Sequence, residues 1–423
     1  MRLSHLLGTM ILLAGLCGTA SSSQARDTDH YQALKQFSQV LDLIEKNYVQ
    51  EVDRTDLIHG AIEGMLNSID PHSTYIDLDK FKMMQEEFQG EFGGIGIQIG
   101  VRDKRLTVIA PIEDTPADKA GLRAGDIILE IDGVSALDIS LEEAVSKIRG
   151  PKGKAVELII LHKESQAPEK VSIVRGTIPL VSVKVKELEP GYVHLRLTDF
   201  KANTTDDMHQ KLREYSAKQE LKGIVLDLRN NPGGLLNQAI SVTDTFLRDG
   251  LIVYTQGRDP KSRKDEMASR QATDVTCPVV VLINSGSASA SEIVAGALQD
   301  RKRAILIGER TFGKGSVQSI MPLSDGSAVK LTIALYYTPN GRSIQVEGID
   351  PDVELPFVTV DETEEPDRDF REANLSKHLD NPNGDAELST EELEAREALA
   401  KDNQLRIGLS MVKSLPRFMQ LTN

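Results

Sequence analysis

The sequence predicts an α/β core that follows a mostly β module and has helical regions at both ends of the chain. After Ile178, strand-like and helix-like segments alternate, beginning with the apolar run Gly223–Leu228 and the helical pattern Leu236–Leu247. Alternation of this kind is typical of α/β proteins. From Glu91 to the start of this core, short apolar runs separated by turn residues predict strands instead.

Length, composition and charge indicate a protein of several domains and argue against nucleic-acid binding. The 423 residues are too many for one hydrophobic core, so we expect several domains. The net charge is −15, only 4% of residues are aromatic, and there is no Trp. Because phosphate binding needs clustered Lys and Arg and base stacking needs aromatic rings, we expect no nucleic-acid partner.

The first 25 residues have the pattern of an export signal. Arg2 precedes the apolar run Leu6–Ala14, and Ser23-Gln24-Ala25 fits a small-x-small cleavage site. The run is shorter than the roughly 20 residues that span a bilayer. We therefore expect export, with an uncleaved membrane anchor as the alternative. Removal of the signal would leave Cys277 as the only cysteine, and no internal disulfide.

The segment Tyr31–Gln89 has helical periodicity, and its apolar residues form one stripe. This stripe predicts either a helix packed on its own domain or an oligomerisation arm, because the spacing is close to heptad spacing. Its members are Leu34, Phe37, Leu41, Ile44 and Tyr48.

The mostly β module begins where Ile95, Ile97 and Ile99 alternate with Gly96 and Gln98, a period of two that predicts a strand. Further apolar runs predict three more strands and one short helix before the module ends near Arg175. The strands are expected at Leu106–Ile109, Ile127–Ile131 and Val156–Leu161, and the helix at Leu141–Ile148.

The C-terminal region turns acidic after Asp361 and ends in a charged helix predicted at Leu388–Leu399. Asp380–Glu391 superficially resembles a calcium-binding loop. Pro382 occupies a ligand position there and Gly384 is misplaced by one residue, so we reject a calcium site.

A serine-rich segment, Ser285–Glu292, lies between the predicted buried strand Pro278–Asn284 and the predicted helix Ser291–Gln299. Free N–H groups and the dipole at a helix N-terminus favour negative charge, so a nucleophilic serine and its oxyanion would be stabilised there. Serines are also common helix caps, and Ser289 or Ser291 could serve only that purpose.

A second segment, Gly308–Gly315, nearly matches a phosphate-binding loop. Gly315 stands where a hydroxyl should reach Mg²⁺, and Val317–Tyr337 is strand-like rather than helical, which argues against an NTPase. Burial lowers the pKa of a lysine, and a neutral amine beside a serine can accept its proton. Lys314 is therefore either such a base or an ordinary solvated lysine.

Other catalytic patterns are missing from the sequence. There is no G-x-S-x-G, no H-E-x-x-H and no CxxC, so a nucleophile elbow and a metal site are unsupported. His194 lies in an apparent strand, Tyr192–Leu197, where it is a core or surface residue.

In combination, these segments resemble the C-terminal processing peptidases, also called tail-specific proteases, over roughly Tyr31–Glu354. The family segments S-A-S-A-S-E-I and F-G-K-G-x-V-Q match Ser287–Ile293 and Phe312–Gln318. The resemblance implies that the middle serine of the first segment is the nucleophile and that the lysine of the second is the general base. These residues are Ser289 and Lys314, and the resemblance also implies that Gln318 orients the lysine.

The stretch Leu226–Gly234 matches a third family segment. The resemblance implies an oxyanion hole built from the backbone N–H of Gly234, with Gly233 as the alternative, and from that of Ala290.

The Glu91–Arg175 module resembles a PDZ domain, and Phe92–Ile97 resembles its carboxylate-binding loop. Successive free N–H groups can capture a chain-terminal carboxylate while the peptide extends the sheet as an added strand. The resemblance assigns this binding to Gly94, Ile95, Gly96 and Ile97. It implies a signal peptide (1–25), an N-terminal helical region (26–90), a PDZ domain (91–176), a serine peptidase core (177–360) and an acidic linker with a C-terminal helix (361–423).

The function implied by the resemblance is that of a periplasmic serine endopeptidase that cleaves proteins near their C-termini through an acyl-enzyme, without a metal or other cofactor. Its expected partners are substrates with apolar tails, cell-wall hydrolases among them, a lipoprotein adaptor and further copies of the chain. The alternative function is a PDZ-containing adaptor with an inactive peptidase core. It would bind tails without cleaving them, and the intact Ser289, Lys314 and Gln318 count against it.

Overall fold

A computed structural model describes residues 21–102, 105–112, 114–137, 139–163, 165, 167–358 and 389–421. The chain divides into two compact units. The first contains the chain up to Ile76 with Ile320–Leu323 and Ala328–Leu331, and the second contains the remainder. Most of the predicted signal peptide, the acidic stretch and most of the rejected calcium loop lie outside the described residues.

The first unit begins with two helices and a short strand: α1 (Ser21–Asn47), α2 (Arg54–Asn67) and β1 (Thr74–Ile76). The predicted helical region is therefore wrong at β1, which pairs antiparallel with residues 328–330. The β-branched and aromatic side chains of Thr74, Tyr75 and Ile76 favour the extended backbone found here.

The second unit opens with a helix and then the predicted mostly β module. Sheet order in the module is β3-β4-β5-β7-β8, with β6 on β5, so β3 lies at an edge, while β2 pairs with β9. The elements are α3 (Leu78–Gln89), β2 (Glu91–Gly94), β3 (Ile97–Arg102), β4 (Arg105–Pro111), α4 (Pro116–Lys119), β5 (Ile127–Ile131), β6 (Val134–Ser135), α5 (Leu141–Ile148), β7 (Ala155–Leu161), β8 (Glu169–Val174) and β9 (Gly176–Pro179).

The predicted alternation of strands and helices follows and is confirmed. Its elements are β10 (Val183–Glu189), β11 (Tyr192–Leu197), α6 (Thr204–Ser216), β12 (Gly223–Asp227), α7 (Leu236–Phe246), β13 (Gly250–Gly257), β14 (Lys264–Ala268), β15 (Val279–Ile283), α8 (Ala290–Asp300), β16 (Ala304–Gly308), β17 (Ser316–Pro322), β18 (Ala328–Tyr337), β19 (Val353–Glu354), α9 (Thr390–Lys401) and α10 (Asn403–Leu421).

A six-stranded sheet with the order β10-β11-β12-β15-β16-β19 forms the centre of the core. All neighbours are parallel except β10 and β11. Both faces of the central strands are covered, which explains their nearly continuous apolar sequences. Ile224 and Leu226 pack with α7 and α8, whereas Val225 packs with Leu409 of α10 on the opposite face.

Helix α10 extends the C-terminal region beyond the predicted single helix. The sequence prediction stopped at Leu399, but α9 ends at Lys401 and α10 continues to Leu421. Pro416 lies inside α10. A proline normally signals a helix boundary, and the apolar face of α10 is stabilised instead by packing on the central sheet.

A buried charge network ties α10 to the end of β12. The carboxyl of Asp227 is fully buried and accepts hydrogen bonds from His194, Arg196 and Arg229 at 2.8–3.0 Å. Burial opposes ionisation of Asp227, but the hydrogen bonds from Arg229 and His194 outweigh it and hold its pKa well below the usual range. Arg229 also donates to Asp402, between α9 and α10, at 2.7 Å.

Asp227→Ala should lower the free energy of unfolding by about 3–5 kcal/mol, because the buried Arg229 would lose one of its two carboxylate partners and His194 and Arg196 would lose the carboxylate that they share. Urea-induced unfolding of the full chain measures this change. The control is Asp265→Ala, which breaks the exposed pair with Arg263 and should leave the unfolding midpoint unchanged. Equal midpoints for the two variants would contradict the role given to Asp227.

Candidate active site

The ends of β12 and β15 form one edge of the central sheet, and the two segments that follow them are hydrogen-bonded to each other. The Asn230 N–H donates to Asn284 Oδ1 at 2.8 Å, and Asn284 Nδ2 donates to Asn230 Oδ1 at 3.0 Å. The Ala288 N–H donates to the Asn231 carbonyl at 2.9 Å. The glycine-rich turn after β12 is thereby held against the serine-rich segment after β15.

The segment has four serines; Ser285 is exposed, and the other three differ in what their hydroxyls do. Ser287 and Ser291 are fully buried, and their hydroxyls donate to the carbonyls of Leu228 (2.8 Å) and Asn231 (2.9 Å). Ser289 is partly exposed, and its hydroxyl contacts the phenol of Tyr336 at 2.9 Å. Of Ser287, Ser289 and Ser291, Ser289 is thus the one whose hydroxyl does not donate to a main-chain carbonyl.

The backbone of Ser289 is strained, with φ 56° and ψ −111°. Such a conformation is uncommon for a residue other than glycine and is concentrated at functional sites. Ser289 occupies the N-cap of α8, and its N–H donates to Glu292 Oε2 at 2.7 Å. The side chain therefore stands at the N-terminus of a buried helix, where developing negative charge is favoured.

The fully buried carboxyl group of Glu292 accepts four hydrogen bonds. Besides Ser289, its donors are the hydroxyl of Thr311 (2.6 Å) and the N–H groups of Gly313 (2.7 Å) and Lys314 (2.9 Å). Glu292 was not among the site residues predicted from the sequence. A serine followed three residues later by glutamate at a helix start is the capping-box signal, which could have identified it.

Lys314 lies in the loop 311–315 between β16 and β17 and is half-buried. Its N–H is bound by Glu292, and its carbonyl accepts a hydrogen bond from Tyr336 at 2.7 Å. Two side chains thus connect the main chain of Lys314 to Ser289, and the structure brings these two predicted residues together. The function of the lysine amine stays a prediction.

Gln318 follows this loop on β17. Its Nε2 donates to Ser316 Oγ at 2.8 Å and lies 3.4 Å from Thr332 Oγ1. The contact from Gln318 to the lysine that the resemblance implies stays a prediction.

The amides around Ser289 distinguish the alternatives for the oxyanion hole. The Gly233 N–H already donates to Asn231 Oδ1 at 2.9 Å, and the Ser289 N–H is bound by Glu292. The N–H groups of Gly234 and Ala290 donate to no residue in the described part of the chain. Gly234 and Ala290 are therefore the available donors, which favours them over Gly233.

Gly233 nevertheless has to remain a glycine. A Cβ at this position would lie 2.8 Å from Ser289 Cβ and 2.9 Å from the Ala290 nitrogen, and its φ is +103°. The turn packs directly on the segment of Ser289, with no room for a methyl group.

Gly233→Ala should lower kcat by about 100-fold or more, because the added methyl displaces the serine from the amides. Peptide hydrolysis measures this change. Gly341→Ala is the matched control, since its φ is +84° but the nearest atom is 3.5 Å away. A similar loss in both variants would attribute the effect to backbone strain alone.

The predicted carboxylate-binding loop joins β2 to β3. Gly94 ends β2 and Ile97 begins β3, while the N–H groups of Ile95 and Gly96 between them donate to no described residue. A cavity of about 150 Å³ opens beside the loop. Apolar side chains on β3 and α5 line it, namely Ile97, Ile99, Val145 and Ile148. Two unpaired amides, an apolar cavity and the edge strand β3 together suit the C-terminus of an apolar peptide.

Gly96→Ala should abolish peptide binding by this loop. The new methyl would lie 2.3–2.5 Å from the side chain of Thr115, so the loop has to move. Fluorescence anisotropy with a labelled apolar-tailed peptide measures binding. Gly121→Ala is the control, because its φ of +82° matches the +81° of Gly96 but its surroundings are open. Unchanged affinity in Gly96→Ala would place the peptide elsewhere.

The phosphate-binding loop that the sequence offered as an alternative finds no support in the geometry. A strand, β17, follows Lys314, whereas a phosphate-binding loop needs a helix there.

Other titratable side chains have structural surroundings. His194 is bound to Asp227 in the buried network. Burial raises the pKa of the Cys277 thiol to about 11, so it stays protonated. Within the described ranges, no cluster of His, Cys, Asp or Glu could hold a metal, and no helix is long and apolar enough to cross a bilayer.

Comparison with known families matches three parts of the chain. Residues 191–355 match peptidase family S41, residues 107–161 match a PDZ domain, and residues 16–80 match the N-terminal domain of the activating protease CtpB.

Individual relatives extend over most of the chain. A carboxy-terminal-processing protease of Bartonella bacilliformis is 47% identical over 76% of this chain and 75% of its own length. The carboxy-terminal processing protease CtpB of Bacillus subtilis is 36% identical over 81% of this chain and 71% of its own. The solved structure of a photosystem II D1 C-terminal processing protease is 30% identical, with a TM-score of 0.45, and covers 76% of this chain and 92% of its own.

Proposed function

This chain belongs to the carboxy-terminal processing proteases of peptidase family S41, and we propose that it cleaves proteins by a Ser–Lys mechanism at the site around Ser289. Membership makes it a serine-type peptidase that acts toward the C-terminal ends of proteins. One observation carries the proposal: a strained, partly exposed serine at a helix N-terminus is connected to the Lys314 loop through Glu292 and Tyr336.

In the proposed reaction, Ser289 Oγ attacks the scissile carbonyl and its proton passes to the neutral amine of Lys314. The N–H groups of Gly234 and Ala290 bind the oxyanion. Lys314 then protonates the leaving amine, and a water molecule hydrolyses the acyl-enzyme. Gln318 orients the lysine. The two unpaired amides beside Ser289 support this assignment.

Substrate selection is assigned to the loop Gly94–Ile97. Its unpaired amides receive the terminal carboxylate of the substrate, and the adjoining cavity receives an apolar last side chain. A captured tail raises the local concentration of the same chain at the peptidase site, because both lie on one polypeptide.

Assembly and location are inferred from the N-terminal part of the chain. The apolar stripe is exposed at four of its five members, with Leu34 69% and Tyr48 58% accessible, while Leu41 is buried, so we infer that the stripe contacts further copies of the chain. The predicted signal peptide supports export to the periplasm. A lipoprotein adaptor and cell-wall hydrolase substrates remain part of this proposal.

Ser289→Ala and Lys314→Ala should each reduce cleavage of an unfolded protein with an apolar C-terminus by at least about 1,000-fold. Gel analysis and mass spectrometry of the products measure rate and cut position, with and without a metal chelator. Lys261→Ala, at an exposed lysine between β13 and β14, is the control and should cut normally.

Cleavage that persists in Ser289→Ala would reject the nucleophile, and cleavage abolished by the chelator would reject a metal-independent mechanism. If the wild type binds the tail but cuts nothing, the inactive-adaptor alternative gains support.

A further inference from the structure

The phenol of Tyr336 bridges the two central parts of the proposed site. Its Oη lies 2.9 Å from Ser289 Oγ and 2.7 Å from the carbonyl oxygen of Lys314. The residue is only 3% exposed, so water does not compete for these contacts. A hydroxyl that touches the attacking atom itself can influence the reaction directly.

The phenol of Tyr336 has one proton to donate and two contacts to make. The Lys314 carbonyl can only accept, so it takes the single phenol proton in the shorter contact. The lone pairs of Tyr336 Oη then face Ser289 Oγ, and the serine hydroxyl can donate to them. Either hydroxyl can turn, so the phenol can also donate to Ser289 Oγ once the serine has lost its proton.

The surrounding structure keeps the phenol in place. The Tyr336 N–H donates to the Gly315 carbonyl at 2.9 Å, and this hydrogen bond holds β18 beside the Lys314 loop. On the same strand, the ring of Tyr337 stacks on Tyr254 with 4.9 Å between centroids. The backbone of Tyr336 is therefore held beside the loop of Lys314, and its side chain is packed in the buried core.

The phenol retains its proton in this environment. Burial raises the pKa of Tyr336 above its ordinary value and the nearby Glu292 adds to this effect, while the contact with Ser289 opposes it. A protonated phenol supplies a hydrogen bond but does not act as a base, so that role is left to Lys314.

We propose that Tyr336 positions the Ser289 hydroxyl for attack and donates a hydrogen bond to Ser289 Oγ as the serine proton passes to Lys314. This inference rests on the proposed Ser–Lys chemistry. The serine proton goes to the lysine amine, an electron pair of Oγ forms the bond to the substrate carbonyl carbon, and Tyr336 keeps its own proton throughout.

The test compares Tyr336→Phe with Tyr337→Phe in the full chain. Each variant removes one phenol hydroxyl from β18, but only Tyr336 contacts the serine. Tyr336→Phe should lower kcat by about 10- to 100-fold with KM little changed, as expected for a hydrogen bond to a developing charge. The rate of Ser289 labelling by a fluorophosphonate should fall in parallel. Tyr337→Phe should match wild type in both measurements.

A second variant covers the case in which Tyr336→Phe does not fold. Replacement of Tyr336 by 3-fluorotyrosine keeps the hydroxyl and its contacts but makes the phenol a stronger donor, so kcat should change at position 336 and not at position 337. A wild-type kcat and labelling rate in the Tyr336 variants would overturn the proposal.

These variants distinguish a failure of the Tyr336 proposal from a failure of the Ser–Lys mechanism. If Ser289→Ala and Lys314→Ala are inactive while the Tyr336 variants cut normally, Tyr336 has no such role and the peptidase mechanism stands. If Ser289→Ala cuts normally, the peptidase mechanism fails, and the Tyr336 proposal fails with it.

Discussion

The buried carboxyl group of Glu292 holds together the two segments that make up the proposed active site. It binds the Ser289 N–H on one side and the Gly313 and Lys314 N–H groups on the other. The proposed nucleophile and base come from segments that are separated by a helix and a strand, so no local chain contact fixes their relative positions. A buried acceptor with four donors does so, because leaving any of these polar groups unpaired in the interior is costly.

The rest of the proposed site depends on these hydrogen bonds to Glu292. Glu292 occupies the Ser289 N–H and Asn231 occupies that of Gly233, while the amides of Gly234 and Ala290 have no acceptor among the described residues, which is why we propose them for the oxyanion. The strained backbone of Ser289 is sustained in the same way, by a rigid helix behind it and packed turns beside it. The buried ion pairs of Asp227 anchor the start of the glycine-rich turn and connect it to the C-terminal helices.

Much of the fold was predictable because its periodicity is simple. The strand around Val225 and the helix α5 follow directly from apolar runs and helical spacing. The strand at Thr74–Ile76 was missed because three residues are too few to show a period, and they pair with a segment more than 250 residues away. Helix α10 was not predicted, and it continues through Pro416 because packing on the sheet overrides the local preference of a proline for a helix boundary.

Taken alone, the sequence identified Ser289, Lys314 and the peptide-binding loop as the residues to examine, through their motifs and their positions at predicted strand and helix ends. It placed Gly234 ahead of Gly233 only through the resemblance, and it could not indicate that Tyr336 contacts the serine. Only the tertiary structure shows that the Gly233 N–H is bound by Asn231 and that the Tyr336 phenol lies against Ser289. Hydrogen-bond partners depend on which amides and hydroxyls the fold brings within 3 Å of each other, and residues far apart in sequence carry no local pattern that records such a contact.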